Sequence, residues 1–317
     1  MKDCSVSVRV MHIFLVGATG YIGSAVLDAS IKRGHQVTAM ARDKEKAERL
    51  AARGATPVVA DLSTPKRYLP AVKAADAVVF AVSDSSPKRD QLEKQGLETM
   101  LGAQAQASHA DGKPRTFIYT SGVWVLGRSV KAADESAPLN PPELVAWRPS
   151  HEDLVLSSAS SSLRTAVVRP GIVYGGGRGI VADLIKDALN GLVRVVGPGK
   201  NRWPLIYDRD LGDLYVRILE SPTAAGIFHA NDEADERVSD IVEAIAAQVP
   251  QKPDIRYMPM EEAHKKLGAY ADALALDQKV RSPKARALGW QPTQTGVISS
   301  VARLVEEFRN SRREKST

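Results

Sequence analysis

The chain has 317 residues, 44% hydrophobic and 25% charged, a balance that suits one large folded domain with a smaller lobe and excludes a disordered chain or a single small module. Its net charge of +6 comes from Lys and Arg scattered among nearly as many acids, so no nucleic-acid surface is expected and the bias suits anionic cofactors or substrates. A single cysteine, Cys4, allows no internal disulfide, no apolar run approaches the roughly 20 residues that span a bilayer, and the first ten residues lack a signal peptide's apolar core; a cytoplasmic protein without membrane contact is expected.

Residues 1–10 read as an extension ahead of the first strand, with poor order expected. From Phe14 to Val26 an apolar strand runs into a glycine-rich turn and then an apolar-periodic helix. Gly17 lets the chain reverse sharply, Gly20 lets backbone N–H groups approach a pyrophosphate, and Gly23 lets the helix pack close to the strand. Thr19, Tyr21 and Ile22 complete this cradle, whose helix N-terminus favours phosphate. The helix fades at Arg33-Gly34, and a second strand over 36–41 ends at Arg42. An acid there would accept from both ribose hydroxyls and select NAD; a guanidinium suits a 2′-phosphate, so NADP is expected over NAD. The alternative is a surface arginine beginning the next helix. A third strand over 57–60 stops at Asp61-Leu62, and Ser63-Thr64-Pro65 looks like a helix start, for which Asp61 would be an N-cap. Strand four, 77–82, is continuously apolar, as for a parallel strand buried on both faces, and Ala81 and Val82 at its end should lie along the cofactor's middle. A long helix over about 87–108 and a turn at Asp111-Gly112-Lys113-Pro114 lead to strand five, 116–121. Strand alternating with helix five times predicts a parallel sheet with right-handed crossovers and ligands beyond the strands' carboxyl ends.

Three segments, Gly17-Ala18-Thr19-Gly20-Tyr21-Ile22-Gly23, Arg169-Pro170-Gly171-Ile172-Val173-Tyr174-Gly175 and Leu288-Gly289-Trp290-Gln291-Pro292, together resemble the extended and atypical short-chain dehydrogenase/reductases, the clan of the NAD-dependent epimerases and dehydratases, over nearly the whole chain. The resemblance implies an α/β Rossmann fold, a doubly wound parallel sheet with a smaller C-terminal α/β substrate lobe. Residues 11–170 would form the cofactor domain, with 205–232 returning to the sheet; 171–204 and 233–317 would form the substrate lobe and a closing helix. It also places Asp61 against the adenine amino group, the competitor of the N-cap reading, and Pro170, Gly171 and Val173 beside the nicotinamide.

In that family strand five ends in a Ser or Thr that bonds the reacting oxygen; Ser121 takes this place here, with Thr120 behind it. The next helix of the family carries Tyr-x-x-x-Lys, a tyrosine acid/base whose pKa the lysine lowers. None of the eight tyrosines is followed four residues later by lysine. In the segment from Trp147 to Val155, Trp147 takes the tyrosine's place and His151 the lysine's. Three explanations compete. His151 is the acid/base, since imidazole titrates near neutrality; Tyr174 reaches the site from the other lobe; or the chain binds cofactor without hydride chemistry. An ordinary helix histidine bonded to its neighbours is the plain alternative for His151.

The loop over 175–179 reads as a mobile lid or a glycine-rich linker. Arg178, Lys200, Arg202 and Trp203 could meet an anionic or ring-bearing ligand, or be solvated loop residues. Asp210 reads as a structural charge at a helix start. Residues 226–230 read as a strand returning to the sheet, 255–258 as a strand, and 296–309 as a closing amphipathic helix burying Val297, Val301, Leu304, Val305 and Phe308, with 309–315 a solvated tail. No metal cluster or nucleophilic triad is recognised, and His12, His35, His109, His229 and His264 read as ordinary. The expected function is an NADP-linked oxidoreductase acting on a small carbonyl or alcohol, with a homodimer left open. The alternatives are a nucleotide-sugar epimerase or dehydratase, and a non-catalytic NADP-binding sensor or scaffold.

Overall fold

Short apolar strands alternate with amphipathic helices from the start, and a parallel strand can satisfy its backbone only beside others of its kind. In the computed structural model, which describes residues 9–82 and 88–313, the order opens β1 (His12–Val16), α1 (Tyr21–Lys32), β2 (Gln36–Ala41), α2 (Lys44–Ala52), β3 (Thr56–Val59), α3 (Pro65–Ala74), β4 (Ala77–Phe80), α4 (Arg89–Asp111) and β5 (Arg115–Thr120). The expectation about the N-terminal extension falls, for residues 1–8, outside the described residues, as does Pro87 at the expected start of the long helix. The chain continues with β6 (Ser129–Ala133), α5 (Arg148–Ser157), β7 (Leu163–Pro170), β8 (Ile172–Tyr174), α6 (Gly179–Leu189), β9 (Leu192–Val196), β10 (Leu205–Tyr207), α7 (Asp208–Glu220) and β11 (Gly226–Ala230). It closes with α8 (Val238–Gln248), β12 (Asp254–Met258), α9 (Met260–Leu267), α10 (Tyr270–Ala275), β13 (Gln278–Val280), α11 (Pro283–Ala287) and α12 (Val301–Arg313).

Seven strands form one parallel sheet in the order β11-β7-β5-β4-β1-β2-β3. Ile13 pairs with Val37 on one side and Ala77 on the other. The strand order therefore reverses beside β1, where a crevice opens beyond the carboxyl ends of β1 and β4. The middle of the sheet is dry because Phe14, Leu15, Val78, Val79, Phe117 and Ile118 are all fully buried. Burying one such side chain contributes on the order of 1.5–3 kcal/mol before conformational entropy is set against it.

The chain divides into two compact units, one of residues 1–120, 151–167 and 212–226, the other of 121–150, 168–211 and 227–317. Within the second, three small parallel pairs form: β8 with β10, β9 with β12 and β6 with β13. Its core gathers Tyr174, Trp203 and Tyr207 with the apolar faces of α6, α8 and α12. Of residues 205–232, expected to return to the large sheet, 226–230 do so as β11, whereas 205–207 pair with β8. Two boundaries differ usefully from the sequence reading. β4 stops at Phe80 and β5 at Thr120, so Ala81, Val82 and Ser121 stand just beyond strand ends. α12 also runs to Arg313, so residues 309–313 are helix rather than tail. No helix among the described residues is long and apolar enough to cross a membrane.

Candidate functional site

β1 delivers the chain into the glycine turn at the reversal point. Gly17 has φ +89°, and a Cβ there would collide with the Ala81 carbonyl; only glycine occupies such a position without strain. A Cβ on Gly23 would strike the Gly17 carbonyl oxygen, so this glycine sets how closely α1 approaches the turn. The Gly20 N–H closes the turn on Gly17 O at 2.8 Å. As N-cap of α1, Gly20 brings no side-chain oxygen to the first turn, which also contains no acid of its own. Beside the turn lies a groove of about 420 Å³, with Gly17, Thr19, Gly20, Arg42, Asp61 and Leu62 in its wall and Ala81 and Val82 at its edge. Tyr21, Ile22 and Gly23 form the start of α1 outside the groove lining.

The charges at this groove are sorted by local bonds. Asp43, the nearest acid in sequence to Arg42, is the N-cap of α2; its carboxylate accepts from Lys46 N at 2.8 Å and pairs with the Lys46 ammonium. These bonds hold its pKa below the ordinary carboxylate value, and exposed Arg42 is the charged residue in the groove wall at the end of β2. Asp61 closes a turn on its own neighbours, accepting from Ser63 N at 2.9 Å and Ser63 Oγ at 2.5 Å, bonds that lower its pKa. It is not the N-cap of α3, which is Thr64. The glycine turn, the helix start it leads into and the cation beyond β2 are the parts a phosphate-bearing dinucleotide needs, so the residues present fit one.

Ser121 follows β5, with its N–H donating to Val168 O at 2.8 Å. It is 7% exposed, and its hydroxyl has no hydrogen-bond partner among the described residues. A buried hydroxyl left unpaired costs on the order of 1–3 kcal/mol. Thr120 is engaged instead with the Tyr215 hydroxyl at 2.6 Å. His151 lies in α5 at 3% exposure, its imidazole edge-on to the Tyr119 ring with centroids 6.3 Å apart. Trp147, in the place of the family's tyrosine, has the Arg148 guanidinium 4.5 Å over its ring, a cation–π contact.

Tyr174 is fully buried and donates its hydroxyl to Asp232 Oδ2 at 3.1 Å. Burial, then the Asp232 charge, pushes its pKa up, away from the neutral range a proton shuttle needs. Asp232 itself is lifted by burial to about 6 and also accepts from Gly296 N and Ala234 N. Gly171 approaches the backbone so closely that a Cβ would meet Pro204 O at 2.5 Å; its N–H goes to Ala230 O, and Val173 pairs with Ile206 in the β8–β10 ladder. Pro170 ends β7.

Other expected ligand contacts prove to be internal. Arg202 forms a bidentate pair with Asp277 at 2.8 and 2.7 Å, and Trp203, 4% exposed, donates to Leu274 O. In the loop over 175–179, read as a lid or a linker, Gly176 N donates to Glu307 on α12, and Cβ atoms on Gly175 and Gly177 would strike Tyr207 and Ser311. Asp210 does more than face a helix start, since its carboxylate accepts from Thr293 N, Thr293 Oγ1 and Gln294 N. His229, read as ordinary from the sequence, is buried 3.5 Å from Arg169, with its pKa lowered to about 4 by burial and then by that guanidinium. Sixty positions separate the two, and no spacing rule could have joined them. Among the described residues no three His, Cys, Asp or Glu are grouped to hold a metal.

The sheet order and the glycine turn together define a doubly wound α/β protein with a dinucleotide-type cradle. Residues 13–230 match the NAD dependent epimerase/dehydratase family, and the chain belongs to that family. An uncharacterized protein of Schizosaccharomyces pombe, C2A9.02, is 29% identical over 305 residues, 92% of this chain and 98% of its own. Relatives include dehydrogenases and reductases as well as an epimerase family protein. Among solved structures, MoeE5 in complex with UDP-glucose and NAD is similar with TM-score 0.77 at 18% identity, covering 95% of this chain and 99% of that one. Human epimerase family protein SDR39U1 with NADPH is similar with TM-score 0.72 at 19% identity, covering 93% and 99%. At such identities the likeness is one of fold.

Proposed function

We propose that this chain is an NADP-linked oxidoreductase acting on a small carbonyl or alcohol. The observation that carries the reading is the end of β2, where Asp43 is spent as a helix cap and Arg42 stands in the groove wall; an acid free to accept from ribose hydroxyls would have spoken for NAD. Gly17, Gly20 and the start of α1 would hold the pyrophosphate, Arg42 the 2′-phosphate, and Asp61, Leu62, Ala81 and Val82 the adenosine and the cofactor's middle. Bound there, the cofactor supplies or accepts a hydride. In this reading the Ser121 hydroxyl, without a partner among the described residues, bonds the reacting oxygen and His151 exchanges its proton. Tyr174, with its proton committed to Asp232, is structural. A cytoplasmic location and a homodimer belong to the same reading, the second open to analytical ultracentrifugation.

Calorimetric titration of the purified protein with NADP and NAD tests the cofactor, and NAD binding more tightly than NADP overturns it. A carbonyl and alcohol panel tests the chemistry: turnover supports the oxidoreductase, while binding with no turnover across the panel points to a sensor or scaffold.

A further inference from the structure

A second crevice, of about 780 Å³, opens at the amino-terminal ends of β1, β5 and β7, the opposite end of β1 from the glycine turn. Its wall includes Arg115, Arg164, the Ser160-Ser161-Ser162 turn and Thr223. Two carboxylates at its margin already have partners. Asp76 accepts from His12 N at 2.9 Å and pairs with Arg9 at 3.1 Å. Glu220 takes the Arg33 guanidinium at 3.1 and 2.5 Å, with His35 at 3.3 Å.

Arg164 stands apart. It donates to the carbonyls of Ile218, Leu219 and Ala224 and to Thr116 Oγ1, yet forms no ion pair with a carboxylate among the described residues. The carbonyl dipoles ending α7 offset part of its charge, but a partly buried cation without a counter-ion remains unfavourable. Burial pulls its pKa down and no neighbouring carboxylate acts to raise it. Arg115, 4% exposed, reaches Ala75 O at 2.9 Å and Asp111 at 2.5 Å, while its buried Nε–H has no hydrogen-bond partner among the described residues. The wall thus holds a cation with no carboxylate partner among the described residues, beside hydroxyls able to donate.

We propose that this crevice binds a small oxyanion, a phosphate or carboxylate group, which neutralises Arg164 and accepts from the hydroxyls of Ser161 and Thr223. The proposal is independent of the cofactor reading, since no residue of this wall lines the glycine groove. Calorimetry with inorganic phosphate and with succinate, at matched ionic strength, should show saturable binding, and the tighter of the two identifies the group preferred. Location is read with Ser161→Glu at an exposed position, where the new carboxylate takes the anion's place. Affinity at this site should fall about tenfold or more, with NADP binding unchanged, while Arg42→Ala should leave it intact. Absence of saturable binding by either anion, or binding undiminished in Ser161→Glu, overturns the proposal.

Discussion

Asp208→Asn should change how stability depends on pH rather than stability alone. Asp208 begins α7 with its carboxylate against the backbone of Gly175 and Gly176, and burial, with a further push from Glu307, lifts its pKa from 3.8 to about 6. The Arg209 N–H, bonded at 2.8 Å, and the guanidinium groups of Arg209 and Arg303 only partly oppose this. A folded-state pKa above the unfolded one means that the native protein holds the proton longer. The stabilisation is complete below the unfolded value and is lost as pH rises through about 6. For this displacement the loss is about 3 kcal/mol. Asparagine is uncharged throughout and keeps Oδ1 to accept from Arg209 N. In urea unfolding between about pH 4 and about pH 7, the variant should therefore gain on the wild type by about 2 kcal/mol as pH rises. Asp232 shifts in the same direction, and Asp43, Asp61 and Asp277 shift oppositely; all are present in both proteins and cancel in the difference. A difference independent of pH would refute the reasoning.

Arg42→Ala should weaken NADP by about 10- to 100-fold and leave NAD nearly unaffected, because one charge-assisted contact to the 2′-phosphate is lost; an equal loss for both cofactors in calorimetric titration would place Arg42 elsewhere. His151→Ala should remove roughly 100-fold or more of turnover with NADP affinity kept, and unchanged turnover disposes of the histidine as the proton carrier. Tyr174→Phe should cost about 1–3 kcal/mol by removing a donor from buried Asp232, seen as a lowered melting temperature, with turnover per folded molecule retained. Abolished turnover in a stable Tyr174→Phe protein would instead restore the tyrosine as acid/base.

The sheet and the cradle were legible because their requirements are local. Gly17, Gly20 and Gly23 lie within seven residues, and Gly17 and Gly23 each answer a backbone constraint that a side chain would break, so spacing carried the geometry. The alternation of apolar strand and helix likewise pointed to the parallel arrangement, since β1 from Ile13 onward and β4 are buried and read as apolar runs. What the sequence left open were choices made by side chains. Asp43 and Asp61 each had two readings, and only their bonds to Lys46 and Ser63 separate a cap or a turn from a ligand contact.

The catalytic positions were harder to read, for a physical reason. A side chain's availability for chemistry depends on whether something distant has claimed its polar atoms, and sequence spacing cannot report a distant claim. Arg202 looked like a ligand contact until Asp277, 75 residues away, took both ends of its guanidinium. Tyr174 carried the family motif, but Asp232, 58 residues on, holds its hydroxyl. Ser121 is the converse: its hydroxyl lies buried with no partner among the described residues, in a protein where Thr120, one residue earlier, is bonded at 2.6 Å. A fold that satisfies one hydroxyl and buries the next unsatisfied gives up stability at the second position. That loss, more than the identity of the residue, is the reason to look for substrate at Ser121 and to test it before the better-known motif residue Tyr174.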